Sequence, residues 1–293
     1  MTASLRILII GRNGQVARSL QSCLAGMSEV IVRGSDQLDL ARTDNLQASV
    51  EALRPDLIIN AAAHTAVDQA ESEPELAFAI NATAPGLLAQ AACTLGVPLI
   101  HYSTDYVFDG HKSAPYTEAD TPNPLSVYGR SKLAGEVAIR QAGGQHLILR
   151  TSWVYSTAGR NFLLTMQRLL QEKPHLRVVA DQIGAPTWAD TIAASTARII
   201  ERWQGGQPGA WGTYHLTARG ETSWFGFAQA IGEHLIEQQK PCARLEPIPS
   251  SAYPTPAPRP LNSRLDCTHL YEEWGVSQPD WRSALRLCLA GQA

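Results

Sequence analysis

Leu5-Arg6-Ile7-Leu8-Ile9-Ile10-Gly11-Arg12-Asn13-Gly14-Gln15-Val16-Ala17 is the stretch that decides the fold. Its first six residues are apolar but for Arg6 and rich in β-branched Ile, as in a strand buried on both faces of a parallel sheet. A helical pattern follows at once, with Val16, Leu20 and Leu24 on one face. The turn between them reads G-x-x-G-x-x-A. Gly11 suits the tight turn, Gly14 lets backbone approach a pyrophosphate, and Ala17 allows close helix–strand packing. Gly11, Asn13, Gly14, Gln15 and Val16 are therefore the expected phosphate cradle. Two turn glycines would also serve a plain strand–turn–helix. The place of this turn, directly after the first strand, favours the nucleotide reading.

Outward from this stretch the same alternation continues. Glu29–Arg33, residues 56–60, 97–102 and 146–150 read as further strands. Helical patterns occupy about 43–53, 74–95 and a run from Ser126. The predicted class is α/β, a Rossmann-type doubly wound parallel sheet with a smaller C-terminal α/β substrate lobe. Residues 1–150 form the expected dinucleotide-binding domain, to which later segments are free to return. Residues 151–293 form mainly the substrate lobe.

The strand ends carry the candidate ligand contacts. The second strand ends Arg33-Gly34-Ser35, without the acid that binds adenosine ribose hydroxyls in NAD sites. An Arg there suits a 2′-phosphate, so NADPH is the expected cofactor, with NADH as an alternative. Asp39 and Leu40 belong to a loop placed to pass over adenine. Ala61, Ala62 and Ala63 permit close backbone approach, and His64 and Thr65 follow near the pyrophosphate or nicotinamide ribose. Tyr102 stands at the end of the fourth strand, before Ser103-Thr104-Asp105. A hydroxyl at 104 is placed to bond both a substrate carbonyl and Tyr128; a plain turn is the competing account. On the helix from Ser126, Tyr128 and Lys132 stand one turn apart on one face. An ammonium beside a phenol lowers the cost of phenolate, bringing a group with a free pKa of about 10 nearer neutrality.

Composition narrows the class. With 44% hydrophobic and 17% charged residues and a net charge of −3, there is no electrostatic case for nucleic acid or an anionic membrane. No apolar run approaches the ~20 residues of a membrane span. The five cysteines have no CxxC spacing, so neither a disulfide framework nor a zinc site is expected, and the cytoplasm is the expected location. Trp153 is either a core residue or a stacking surface for a sugar or thymine ring. The six prolines of residues 247–260 read either as a linker or as a rigid loop presenting Arg259 to a diphosphate.

Several longer strings, Asn60–Asp68, Tyr102–Phe108, Arg150–Tyr155, Asp181–Thr187 and Arg259–Asp266, resemble the dTDP-4-dehydrorhamnose reductase family of extended short-chain dehydrogenases/reductases. The resemblance implies reduction of the C4 ketone of dTDP-4-dehydro-6-deoxy-L-mannose to dTDP-L-rhamnose. It implies Tyr128 as proton donor, Lys132 as the group that lowers its pKa and bonds the nicotinamide ribose, and Thr104 as the carbonyl-polarising hydroxyl. It implies substrate contacts at Thr104, Asp105 and Trp153, a dTDP-sugar as partner, and allows a homodimer. Positions that hold Mg²⁺ through glutamates in some members read Ser19 and Asp190 here, so no structural metal is expected. Two alternatives stand beside this reading. One is a reductase of another dTDP-4-keto-6-deoxysugar. The other is a non-catalytic NADP-binding subunit, resembling the regulatory subunit of methionine adenosyltransferase.

Overall fold

A computed structural model describes residues 5–291. Six parallel strands form one sheet, in spatial order Gly212–His215, His146–Thr151, Leu99–Thr104, Leu57–Asn60, Arg6–Ile10 and Glu29–Arg33. The chain leaves Arg6–Ile10 to one side for Glu29–Arg33 and returns on the other side to Leu57–Asn60. That reversal is the switch point at which ligands bind in open α/β sheets.

Alternation along the first strand sorts the two cores. Ile7 and Ile9 face the helices Gln15–Leu24 and Ala189–Gln204, through Val16, Leu20, Leu24, Ile192 and Ile199. Leu8 and Ile10 face the opposite layer with Leu46, Val50, Leu88 and Ile139. All four are at most 1% exposed, which is why the strand is apolar without alternation. The helix Ala189–Gln204 and the strand Gly212–His215 come from the second half of the chain, yet they complete this layered unit. A third core lies outside it. Leu163, Met166, Phe227, Ile231, Trp281 and Leu285 pack there, beside the parallel pair His175–Val179 and Arg244–Ile248.

The expected single helix over 74–95 is interrupted. Pro74–Phe78 and Ala84–Leu95 are α-helical, and Ala79–Thr83 between them is a π turn. Pro85 has no N–H to offer the carbonyl of Asn81, so the regular ladder fails at that point. Pro74–Leu95 is also long and apolar enough to cross a membrane by length and composition, and half of its window is buried inside the protein.

The helix Val127–Ala142 begins at Ser126, whose hydroxyl accepts from the Gly129 N–H at 3.1 Å. Its approach to the rest of the fold depends on two glycines. A methyl at Gly129 would collide with the carbonyl of Tyr106, and one at Gly135 with the carbonyl of Asn81.

Candidate active site

A cleft of about 540 Å³ opens at the switch point. Gly11 to Val16 form one wall, Ala61, Ala62, Ala63 and Thr65 the next, and Tyr102, Tyr128 and Lys132 the floor. Gly11 has φ +106°, and a Cβ there would stand 3.0 Å from the Ala62 nitrogen, so the turn and the third strand's exit touch through bare backbone. Four expected cofactor residues do not figure among the described residues lining this cleft. The Arg33 guanidinium donates to the Val32 carbonyl at 3.0 Å. Asp39 accepts from the Ala41 N–H at 3.0 Å and caps its own loop. Leu40 is core, at 5% exposure. His64 turns its ring toward Glu73, at 3.7 Å. In their place Arg12, Ser35 and Arg160 line the cleft. Arg12 pairs with Asp36 at 3.2 Å and bonds Gln37.

His64 still has a role, through its backbone. Asn81 accepts from its N–H at 2.8 Å and donates to its carbonyl at 3.0 Å. The same amide donates to Ser131 on the Tyr128 helix at 3.0 Å. One side chain on the π turn thus fixes the third strand's exit loop relative to that helix.

Tyr128, on the cleft floor, lies against Thr104. Burial pushes its phenol up to about 12, a hydrogen bond with Thr104 opposes the rise, and the Asp105 charge adds to it. This reverses the sign expected from a Tyr–Lys pair. Burial is the larger cause, and Lys132 Nζ is engaged elsewhere, 2.7 Å from the Tyr102 carbonyl and 3.1 Å from His101 Nε2. Burial lowers Lys132 to about 8, against the charge of Glu136. A phenol held up in this way keeps its proton at neutral pH, as an acid must. Thr104 donates to Asp105 at 3.1 Å and accepts from the Tyr106 N–H at 3.2 Å. Burial pushes the Asp105 carboxyl up to about 6, opposed by hydrogen bonds from Ser263 and Thr104.

Glu136, one turn beyond Lys132, anchors the helix from behind. Its carboxylate takes Arg150 Nε at 2.9 Å and Nη2 at 2.7 Å, and Ser103 at 2.6 Å, all buried. Burial works against this carboxylate, and the Arg150 hydrogen bonds and charge more than offset it, lowering its pKa.

Next to the cleft lies a second cavity of about 620 Å³. Tyr106 lines it, and the Tyr106 ring meets that of Tyr128 edge to face at 5.5 Å. Arg259 lines it too. Its guanidinium donates to Asp68 at 2.8 Å, while its buried Nη1 has no partner among the described residues. Such a donor suits an anionic oxygen. Trp153 stacks on Trp224, with ring centroids 3.6 Å apart, and Trp224 lines the cavity. Trp153 adopts φ +47°, a costly backbone state for a bulky residue. Its indole lies so close to Gly184 that a Cβ there would stand 2.7 Å away. Ser19, by contrast, donates to Asp190 at 2.5 Å on another face of the molecule.

The RmlD substrate binding domain family matches residues 5–293. The chain belongs to this family. It is 47% identical to the dTDP-4-dehydrorhamnose reductase of Burkholderia thailandensis, over 97% of this chain and 98% of that one. It is 44% identical to the enzyme of the same name from Escherichia coli K12, over 97% of each chain. The solved dTDP-4-dehydrorhamnose reductase of Clostridium acetobutylicum superimposes with a TM-score of 0.91 at 35% identity, covering 98% of this chain and 99% of that one. The Bacillus anthracis enzyme, solved in complex with NADP, gives 0.91 at 34% identity with the same coverage.

For a member of this family, the residues missed in the sequence are as informative as those found. Arg12, Trp224 and Glu136 carry no spacing signal, because each acts through a partner far along the chain. Arg12 alone offered a clue, as a cation inside the phosphate turn.

Proposed function

We infer that the chain reduces the C4 ketone of dTDP-4-dehydro-6-deoxy-L-mannose to dTDP-L-rhamnose, with NADPH as the main coenzyme and NADH as a second. The observation that carries this is the place of Tyr128. Its phenol lines the dinucleotide cleft, and its ring meets that of Tyr106, which lines a cavity large enough for a nucleotide sugar.

The residues present fit a dinucleotide. The crowding of Gly11 against Ala62 leaves a bare cradle, and the free N–H groups of the Gln15–Leu24 helix favour a pyrophosphate. Arg12 and Ser35, rather than Arg33, are the residues we assign to a 2′-phosphate. The coenzyme supplies hydride to C4. The protein's own part is to hold the sugar and to move one proton. Tyr128 Oη gives its proton to the oxygen formed at C4, and Thr104 holds that phenol in place while bonding the same oxygen. Arg259 receives the diphosphate, braced by Asp68. Trp153 and Trp224 form the aromatic wall against the sugar ring.

Five free cysteines support a cytoplasmic location, and a net charge of −3 supports small-molecule partners rather than nucleic acid. The test is to follow NADPH and NADH oxidation with dTDP-4-dehydro-L-rhamnose and to identify the sugar by NMR. Formation of dTDP-L-rhamnose is expected. No oxidation with either coenzyme overturns the reading, and a C4 epimer as product replaces it with another deoxysugar reductase.

A further inference from the structure

The role of Lys132 rests on the reductase reading, but what holds Lys132 does not. A single file of buried polar groups runs from the dinucleotide cradle to its nitrogen. The Ala62 N–H lies 3.2 Å from Asn60 Oδ1. Asn60 Nδ2 lies 3.0 Å from His101 Nδ1. His101 Nε2 lies 3.1 Å from Lys132 Nζ, and Nζ lies 2.7 Å from the Tyr102 carbonyl. Asn60, His101 and Lys132 are each at most 1% exposed.

The direction of each bond follows from the two ends. A backbone N–H only donates, so Oδ1 is the atom of Asn60 that faces Ala62, and Nδ2 faces the imidazole. Nδ2 in turn only donates, so His101 Nδ1 accepts. A neutral imidazole accepting at Nδ1 carries its proton on Nε2, which makes Nε2 a donor toward Lys132. An ammonium offers that donor no lone pair; an amine does. The amine keeps a proton for the Tyr102 carbonyl, and every group in the file is satisfied. A charged Lys132 would set two donors face to face at 3.1 Å.

We propose that His101 is a positioning residue for Lys132, favouring its neutral amine form in the coenzyme-free protein through a donated Nε2–H bond and tying it to the Ala62 turn of the cradle. The surrounding charges are consistent with this. Glu136, the carboxylate on the same helix, is taken up by Arg150 and Ser103. Tyr128, on the same helix, is held protonated by burial, and Asp105 bears on Tyr128. Tyr102, on the neighbouring strand, presents its carbonyl here and turns its hydroxyl to Thr196 at 2.6 Å. Burial lowers both His101 and Lys132, and a charge on Lys132 further disfavours a charged His101.

The chain has four lysines, so the Lys132 amine can be titrated by NMR with labelled lysine, using Lys132→Arg to assign its signal. The titration is read without substrate or coenzyme, so failure of the reductase reading leaves it unaffected. In His101→Leu the donor to the amine is lost, and the Lys132 midpoint is expected to rise by about one pH unit. In His101→Gln a side-chain amide can still donate, and the midpoint is expected to stay near wild type. A midpoint that falls in His101→Leu means that His101 accepts from an ammonium, and overturns the proposal. So does an unchanged midpoint, which makes the histidine only a core residue. Should the leucine variant fail to fold, ¹⁵N shifts of His101 in the wild-type protein decide. A proton on Nε2 at pH 9 is expected, and a proton on Nδ1 overturns the proposal.

Discussion

The two neighbouring cavities are built in opposite ways. The cleft is drawn from consecutive strand ends of one sheet, and much of its wall is backbone and small residues, Gly11, Gly14 and Ala61 to Ala63. The cavity is drawn from side chains on segments scattered from Val67 to Arg259. Its bracing contact, Asp68 to Arg259, joins residues 191 positions apart. A wall of backbone recognises what every dinucleotide shares, a pyrophosphate and two riboses. A wall of side chains recognises what distinguishes one substrate from another, and each member can be changed singly. Tyr128 lines the cleft, and its ring meets that of Tyr106, which lines the cavity.

That division can be broken most directly at Tyr128 itself. Tyr128→Phe removes the phenolic proton and leaves the floor of the cleft in place. A fall in kcat of ~10²–10⁴-fold is expected, with coenzyme affinity near wild type by fluorescence titration. A large loss of coenzyme affinity instead would show that the phenol belongs to the cleft rather than to the seam. The next largest effect is expected behind the site. Glu136→Gln leaves Arg150 buried without its carboxylate, and urea unfolding should report a loss of ~3–5 kcal/mol. A loss below about 1 kcal/mol would mean that this ion pair does not anchor the catalytic helix.

The same division explains what could be read without a structure. The sheet, the glycine turn after its first strand and the shared helix face of Tyr128 and Lys132 were legible because each depends on neighbours in sequence: a strand, two glycines, one helical turn. The second strand's exit misled at Arg33. Cation and turn were both visible, but which arginine faces the cleft depends on the path of the backbone beyond Gly34, and it is Arg12 that lines the wall. The sign of the Tyr128 shift was beyond reach for a similar reason. Helical spacing puts Lys132 on the right face, but only the fold shows that the Tyr102 carbonyl and His101 take its nitrogen. The Trp153–Trp224 stack and the brace on Arg259 join remote segments, and no periodicity announces them.

Asp105 sharpens the comparison through pH. Its carboxyl is raised to about 6 in the folded protein, against about 3.9 when unfolded. The folded state therefore binds more protons between these values. The stability that Asp105 contributes is fully present below about pH 4 and is lost as pH rises through about 6. Asp105→Asn has no such proton to lose. The gap in unfolding free energy between wild type and variant should shift by ~2 kcal/mol between pH 4 and pH 7, in favour of the variant at the higher pH. A constant gap would mean that the carboxyl is solvated and belongs to the open cavity, not to the buried floor behind Tyr128.

The smallest effect is expected at the far end of the cavity, and it tests whether side chains there act independently of the cleft. Arg259 has one nitrogen on Asp68 and another buried without a partner among the described residues. A diphosphate oxygen would satisfy the second. Losing a charge-assisted bond of this kind costs roughly 1.5–3 kcal/mol, so Arg259→Ala should raise the KM for the nucleotide sugar ~10–100-fold. Because the diphosphate does not change between ground and transition states, kcat should stay near wild type. Arg259→Lys restores the charge but not the fork that reaches Asp68 and the ligand together, so it should recover only part of the loss. If kcat falls along with kcat/KM, Arg259 also orients the ketone at Tyr128, and the cavity works on the reaction and not only on binding.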